Sequence, residues 1–327
     1  MRRTYLGDRL CFPDVADSRL VDVQAAYARM LTVRGSHRDD AIRRSRREIQ
    51  ETLPELLQAD PDLGVVRAVH EWASAAVGAG DLTEDCTWSA SNNADRKLLG
   101  PPIGRPHTIW GMSANYPRER RTPPPADATP SRPLQGFLKA PSALAGPYDR
   151  LCYPAISRRV DPELELGVVI GRRARRLEPG SAMRAVAGYV TFIDVGARDV
   201  AELDNHRMDR AKGFDTFGIV GPWFVTADEI PEPHALRIRL WVNGEPRQDG
   251  SSSEMYHSIP EQLCWLTEAL TLTPGDLLAT GTPPGVSSIQ PGDELRGEID
   301  GLGVVECTVV PEPSEDARVA VTLGAAG

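Results

Sequence analysis

Two glutamates one residue apart, Glu163 and Glu165, lead into the apolar run 166–170. Such a run is typical of a β-strand entering a core, and alternation along a strand places both carboxylates on one face. Neighbouring carboxylates repel each other, and a bound cation removes that repulsion; oxygen donors suit Mg²⁺, Mn²⁺ or Ca²⁺. Because one Glu-x-Glu pattern is a weak signal, the alternative is an edge strand with both glutamates in water.

A third carboxylate ends the next apolar segment, residues 185–194, which predicts a second strand with Asp194 at its end. Arg198 and Lys212 follow Asp194 within a short stretch of chain. Lysine is rare in this sequence, with three lysines against thirty-four arginines. Its compact, movable charge and adjustable pKa make Lys212 a functional candidate; the alternative is a solvated loop lysine.

With these residues the chain resembles the fumarylacetoacetate hydrolase family. The resemblance is dense over residues 96–310 and includes four further motifs, at 221–223, 242–245, 273–276 and 279–286. It implies an α+β protein in which a mixed β-roll domain of the fumarylacetoacetate hydrolase type occupies residues 106–327. A smaller N-terminal domain, residues 1–105, would contain a small β module and helices. A homodimer is also implied.

The resemblance implies that Glu163, Glu165 and Asp194 hold one divalent cation, with Mg²⁺ favoured and Mn²⁺ or Ca²⁺ possible. A 2-oxo or β-diketo acid would chelate this ion, which stabilises the enolate formed when a C–C bond breaks or a proton leaves. The groups expected around the substrate are Arg198, Lys212, Thr282, Gly281 and Lys139. For Lys139 a structural salt bridge is an equal alternative. We expect C–C hydrolysis first, an isomerase, tautomerase or decarboxylase second, and a non-catalytic binding protein third.

The lid of the family departs from its usual pattern in this chain. Relatives carry a histidine and a glutamate after an Asn-Tyr pair, and these residues activate water or move a proton. After Asn115-Tyr116, Glu119 stands at the place of the histidine and Thr122 at that of the glutamate. Glu119 is therefore the candidate base, unless it only pairs with neighbouring arginines at the surface.

Other substitutions bear on the same question. Lys212 and Arg198 are the remaining catalytic candidates, and His107 and His206 flank family motifs and are possible substitute bases. Ala201 stands where relatives often carry glutamine. The proline-rich segment 122–133 is either a stiff lid or a surface loop.

The remaining elements predict packing. Sequence periodicity predicts a β piece at 4–12, a helix over 21–31 and a helix over 39–58 that is broken or kinked near Pro54. The sequence predicts a further helix from Asp60-Pro61 to Gly78 or Gly80. Further along, it predicts strands at 219–225, 237–242 and 277–280 and a helix over 259–270.

Composition narrows the class of protein. The net charge of −9 disfavours nucleic acid as a partner. No apolar run approaches the ~18 residues of a membrane span, and the first residues lack the apolar core of a secretory signal. Five dispersed cysteines and six histidines without metal spacing argue against disulfides and zinc. We expect a cytoplasmic protein with a small-molecule substrate and neither membrane nor nucleic acid as a partner.

Overall fold

The structure is a computed structural model, and it describes residues 2–6, 9–13, 19–79, 82, 86–89, 98–117 and 133–313. Glu119 and Thr122, and with them the lid residues of the sequence analysis, lie outside the described residues. The segment 122–133 also lies outside them, except for Pro133.

The N-terminal region combines short strands with four helices. Its elements are β1 (Arg2–Leu6), β2 (Arg9–Pro13), β3 (Arg19–Asp22), α1 (Val23–Val33), α2 (Arg38–Glu48), α3 (Leu53–Ala59), α4 (Gly64–Ala79), β4 (Thr87–Ser89) and β5 (Leu99–Gly100).

Helix starts in this region differ from two of the predictions. The helix predicted over 39–58 with a break or kink near Pro54 is two helices, and the break lies before Pro54: the chain is extended at Ile49 (φ −111°, ψ 104°) and restarts after Thr52, which caps α3. Pro54 lies in the first turn of α3, where its missing N–H costs little. The helix predicted from Asp60-Pro61 begins only at Gly64, although the Asp60 carboxylate still accepts a hydrogen bond from Val65 N at 3.2 Å.

The rest of the described chain is mostly β structure. Its strands are β6 (Ile109–Ser113), β7 (Gln135–Lys139), β8 (Leu144–Ala145), β9 (Leu151–Tyr153), β10 (Val160–Asp161), β11 (Leu164–Ile170), β12 (Val186–Asp194), β13 (Gly196–Ala197), β14 (Gly218–Thr226), β15 (Arg237–Val242), β16 (Glu245–Ser251), β17 (Leu277–Ala279), β18 (Glu294–Ile299) and β19 (Gly303–Pro311). Its helices are α5 (Pro179–Ala182), α6 (Arg198–Leu203), α7 (Met208–Ala211) and α8 (Ile259–Ala269).

One large mixed sheet runs through both regions. Its described strands follow the order β4-β3-β2-β1-β14-β12-β11-β17-β6-β7, with β5 beside β1 and β8 beside β14. A second sheet has the order β16-β15-β18-β19-β9, and β10 pairs with β13. Most described pairs are antiparallel, but β17–β6, β14–β8 and β19–β9 are parallel. The predicted α+β class with a mixed sheet is therefore confirmed, whereas the boundary near residue 105 stays a prediction.

The two faces of the large sheet are buried in two apolar cores. Leu166 and Val168 of β11 pack in one core, together with Leu263 of α8. Val169 points the other way, into a core that includes Phe192 of β12 and residues of the N-terminal helices. Because side chains alternate along a strand, Glu165 and Asp194 lie on the face of Val169 and Phe192. No described helix is both long and apolar enough to cross a membrane.

Candidate active site

Antiparallel pairing of β11 and β12 brings the three predicted carboxylates together. Glu165 is opposite Phe192, and the Asp194 backbone N–H donates to the Glu163 carbonyl oxygen at 2.8 Å. One oxygen from each of Glu163, Glu165 and Asp194 lies within 4.8 Å of the others. Among the described residues this is the only such acidic or metal-ligating cluster.

Lys212 lies directly against this carboxylate cluster. Its ammonium donates to Glu163 and to Asp194 Oδ2 (2.6 Å), and it lies 5.4 Å from the centre of the Phe137 ring. Burial opposes the charge on Lys212, but Asp194, Glu163 and Glu165 outweigh burial and raise its pKa to about 12. Lys212 is therefore a buried cation at neutral pH, positioned at the predicted site.

Arg198, at the start of α6, connects two carboxylates. Its Nε donates to Asp161 at 2.9 Å, and its Nη2 donates to Glu163. Burial raises the pKa of Glu163, but the charges of Lys212 and Arg198 dominate and lower it to about 2. Arg198 Nη1 has no hydrogen-bond partner among the described residues, and the side chain is 24% exposed. One end of this guanidinium can therefore still receive a ligand.

Lys139 forms a buried ion pair with Asp194. Its ammonium, with the side chain only 1% exposed, donates to Asp194 Oδ1 at 2.8 Å, and also to the Lys212 carbonyl. Burial lowers the pKa of Lys139, while Asp194 opposes that shift. This arrangement is the salt-bridge role that the sequence left open as the alternative to substrate binding.

Glu165 differs from the other two carboxylates in its partners. It accepts a hydrogen bond from Gly281 N at 2.7 Å, and no described lysine or arginine forms an ion pair with it. Burial, and then repulsion from Asp194, raise the pKa of Glu165 well above its usual value. A divalent cation would relieve that repulsion, and an all-carboxylate donor set is what such hard cations prefer, so these residues fit the predicted ion.

The loop after β17 is fixed by a glutamine that the sequence analysis did not single out. Gln248 accepts from Leu164 N at 3.0 Å and donates to the Thr282 hydroxyl at 2.8 Å. The Thr282 hydroxyl in turn donates to the Leu164 carbonyl at 2.7 Å. The buried Gln248 therefore connects the strand carrying the glutamates to the loop of Gly281 and Thr282. A Gln within a β-strand gave no local sign of this long-range contact.

The two histidines considered as substitute bases are exposed residues. Neither His107 nor His206 forms a hydrogen bond with the three carboxylates within the described residues. Ala201 lies within α6 and is buried in the apolar core. The lid candidate Glu119 lies outside the described residues, so its role stays a prediction.

Comparison with known proteins assigns the chain to a family. The family model of the fumarylacetoacetate (FAA) hydrolase C-terminal region matches residues 108–310, which is more than half of the chain. The chain belongs to the fumarylacetoacetate hydrolase family. This confirms the family predicted from the motifs, and with it the fold type.

Two relatives each match 64% of the chain. An uncharacterised protein from Pyrococcus abyssi is 40% identical over 213 residues, covering 64% of this chain and 93% of that protein. A mitochondrial oxaloacetate tautomerase from Bos taurus is 39% identical over 220 residues, covering 64% of this chain and 68% of that protein.

Some solved structures resemble nearly the whole chain. Maleylpyruvate hydrolase from Sphingobium sp. SYK-6 is 28% identical with a TM-score of 0.72, covering 95% of this chain and 100% of that one. The same hydrolase has been solved in complex with manganese(II) ion and pyruvate. The relatives of this chain thus include a hydrolase and a tautomerase, and family membership supports an enzyme without fixing the reaction.

Proposed function

We propose that this protein is a divalent-cation-dependent enzyme that acts on a small 2-oxo or β-diketo acid through an enolate. The observation that carries the proposal is the convergence of Glu163, Glu165 and Asp194 within 4.8 Å, with the cations Lys212 and Arg198 against them. A chelating keto acid requires carboxylates that hold the cation and, beside them, basic groups that hold the negative charge of the substrate.

Glu163, Glu165 and Asp194 would hold the cation, with Mg²⁺ or Mn²⁺ favoured. When bound, a divalent cation supplies Lewis-acid polarisation of the substrate oxygens. The complex of the Sphingobium hydrolase with manganese(II) ion and pyruvate, itself a 2-oxo acid, supports this pairing of cation and ligand class.

The basic side chains have separate tasks in this proposal. Lys212 remains protonated, because three carboxylates surround it, and its ammonium stabilises the negative charge that develops on the substrate. Arg198 is held by Asp161 and Glu163 and offers its remaining N–H groups to a substrate carboxylate. We assign Lys139 and Thr282 to positioning, since both direct their donors to protein oxygens.

Two reactions that pass through an enolate are open to such a site, and we favour keto–enol tautomerisation over C–C hydrolysis. Tautomerisation moves one proton from carbon to oxygen and needs no activated water. C–C hydrolysis needs such a water, whereas this chain has Glu119 and Thr122 at the positions of the family's water-activating pair. The 39% identity to an oxaloacetate tautomerase agrees with this choice. Hydrolysis is the second candidate, supported by the likeness to maleylpyruvate hydrolase across 95% of the chain.

Product analysis tests the proposal. The purified chain with Mg²⁺ or Mn²⁺ is incubated with oxaloacetate and with an acylpyruvate, and enol absorbance is followed while products are separated by chromatography. Faster keto–enol interconversion with no loss of substrate carbon supports tautomerisation. Release of pyruvate from the acylpyruvate supports hydrolysis, and pyruvate with CO₂ from oxaloacetate indicates a decarboxylase. If neither substrate changes in a cation-dependent way, the proposed enzymatic function is refuted and the non-catalytic binding protein is the remaining alternative.

The cytoplasmic location and the homodimer also remain proposals, which rest on the sequence and the family resemblance. Cell fractionation tests the first. Light scattering at micromolar concentration tests the second, and a monomer mass would contradict it.

A further inference from the structure

Asn115, which follows β6, is buried and connects three segments of the chain. Its Nδ2 donates to the carbonyl oxygens of Thr280 (2.9 Å) and His257 (3.1 Å). Its Oδ1 accepts from His257 N at 2.9 Å, and its own carbonyl accepts from Tyr256 N at 2.8 Å. Both amide hydrogens and the amide oxygen are therefore hydrogen-bonded, and the residue is only 2% exposed. Such a fully bonded buried amide holds one orientation.

The bond to Thr280 reaches the carboxylate cluster through a single peptide group. The Thr280 carbonyl and the Gly281 N–H belong to the same planar, trans peptide, so they point in opposite directions. Asn115 fixes the carbonyl end, and the N–H end donates to Glu165 Oε2 at 2.7 Å. Asn115 therefore fixes the orientation of this peptide through its carbonyl, and the peptide in turn orients Glu165 through its N–H.

Gly281 permits the close approach that this arrangement needs. Its φ of +93° is a conformation that residues with a Cβ rarely adopt. A Cβ added there would lie 3.0 Å from the Asn115 Cβ. Any side chain at this position would therefore push the peptide away from Asn115.

We propose that Asn115 is a positioning residue of the cation site, acting on Glu165 through the Thr280–Gly281 peptide. The inference rests on the proposed function, because it takes Glu165 as a cation ligand. Glu165 has no ion-pair partner among the described residues, so the Gly281 N–H is the bond that orients it. Groups that orient a ligand without touching the metal typically change metal affinity 10–100-fold. We therefore assign to Asn115 an effect of that size on Mn²⁺ affinity.

The test is Mn²⁺ binding by calorimetry to the full chain carrying Asn115→Asp. Aspartate keeps the shape and the acceptor for His257 N but removes both donors, so the Thr280 carbonyl loses its partner. We expect the Kd for Mn²⁺ to rise by about 10–100-fold. The matched control is Asn243→Ala, at an exposed asparagine that also bridges two segments, through Asp293 and Glu294 N. Its Kd should not change.

Two further variants separate the possible outcomes. In Glu165→Gln with Asn115→Asp, the two effects should be less than additive, because Asn115 acts through Glu165. Full additivity, or an unchanged Kd in Asn115→Asp, overturns the proposal while leaving the cation site intact. An unchanged Kd in Glu165→Gln alone instead overturns the cation site itself. If Asn115→Asp does not fold, Gly281→Ala displaces the same peptide, and an unchanged Kd there overturns the role of Asn115.

Discussion

Replacing Lys139 with methionine tests whether the buried charges of the site compensate one another. Lys139 and Asp194 form an ion pair at 2.8 Å in which both side chains are 1% exposed. Methionine keeps the apolar stem of the lysine but leaves Asp194 Oδ1 without a partner, and removes a donor from the Lys212 carbonyl. The loss of one partner from a buried pair typically costs 3–5 kcal/mol. Because Lys212 still donates to Asp194 Oδ2 at 2.6 Å, we expect the low end, about 3 kcal/mol.

Urea unfolding in the presence of EDTA measures this change. The matched control is Arg210→Met, which removes an ion pair of good geometry to Asp204 at 2.7 Å, but with an Arg210 side chain that is 55% exposed. Because that pair is exposed to solvent, its loss should destabilise the protein far less than Lys139→Met does. Saturating Mn²⁺ should reduce the difference in free energy of unfolding between Lys139→Met and the unsubstituted protein, since the bound ion adds positive charge near Asp194. A Lys139→Met loss no larger than that of the control would refute the reasoning.

Two other perturbations have defined outcomes. Arg67→Ala removes the bidentate ion pair between Arg67 of α4 and Asp228 (2.8 and 2.9 Å). Because both side chains are more than one-third exposed, the free energy of unfolding should fall by at most about 1 kcal/mol. Hydrogen bonds from Arg67 hold the pKa of Asp228 well below its usual range. The contribution of the pair to the free energy of unfolding is therefore present above about pH 4 and is lost as the pH falls through the depressed pKa. Unfolding curves of Arg67→Ala and of the unsubstituted protein should then converge in acid. Lys212→Met should lower turnover by about 10²-fold or more, because it removes the ammonium that stabilises the developing negative charge. Glu119→Gln should lower turnover by about 10²-fold or more only if Glu119 is the base. Steady-state rates of both variants test these roles, and an active Glu119→Gln enzyme excludes the glutamate as the base.

Alternation along one strand predicted the common face of Glu163 and Glu165, whereas the grouping of Asp194 with them came from the family resemblance. Two apolar strands, β11 and β12, carry the acids at their adjoining ends, and alternation fixes their common face. The strand predicted at 237–242 matches Arg237–Val242, and the helix predicted over 259–270 is Ile259–Ala269. In each case a continuous apolar pattern with a polar boundary contained the information.

The supporting contacts did not follow from sequence, because they join distant positions. Asn115 bonds to a carbonyl 165 positions away, and Gln248 bonds to a backbone N–H 84 positions away. No periodicity encodes such pairings. The position of the break between α2 and α3, predicted near Pro54, was missed for a different reason. The apolar spacing continues across Ile49 and Leu53, both buried, although the backbone between them is not helical.

Mn²⁺ titration of the unchanged protein and of Glu165→Gln tests the cation site most directly. The control is Glu306→Gln, at an exposed glutamate paired with Arg296. Calorimetry should show one Mn²⁺ per chain for the unchanged protein and for the control. The Kd of Glu165→Gln should rise at least about 10-fold, since even the loss of an outer partner costs that much. Equal affinity in Glu165→Gln and in the control, or no binding to the unchanged protein, would contradict the cation site.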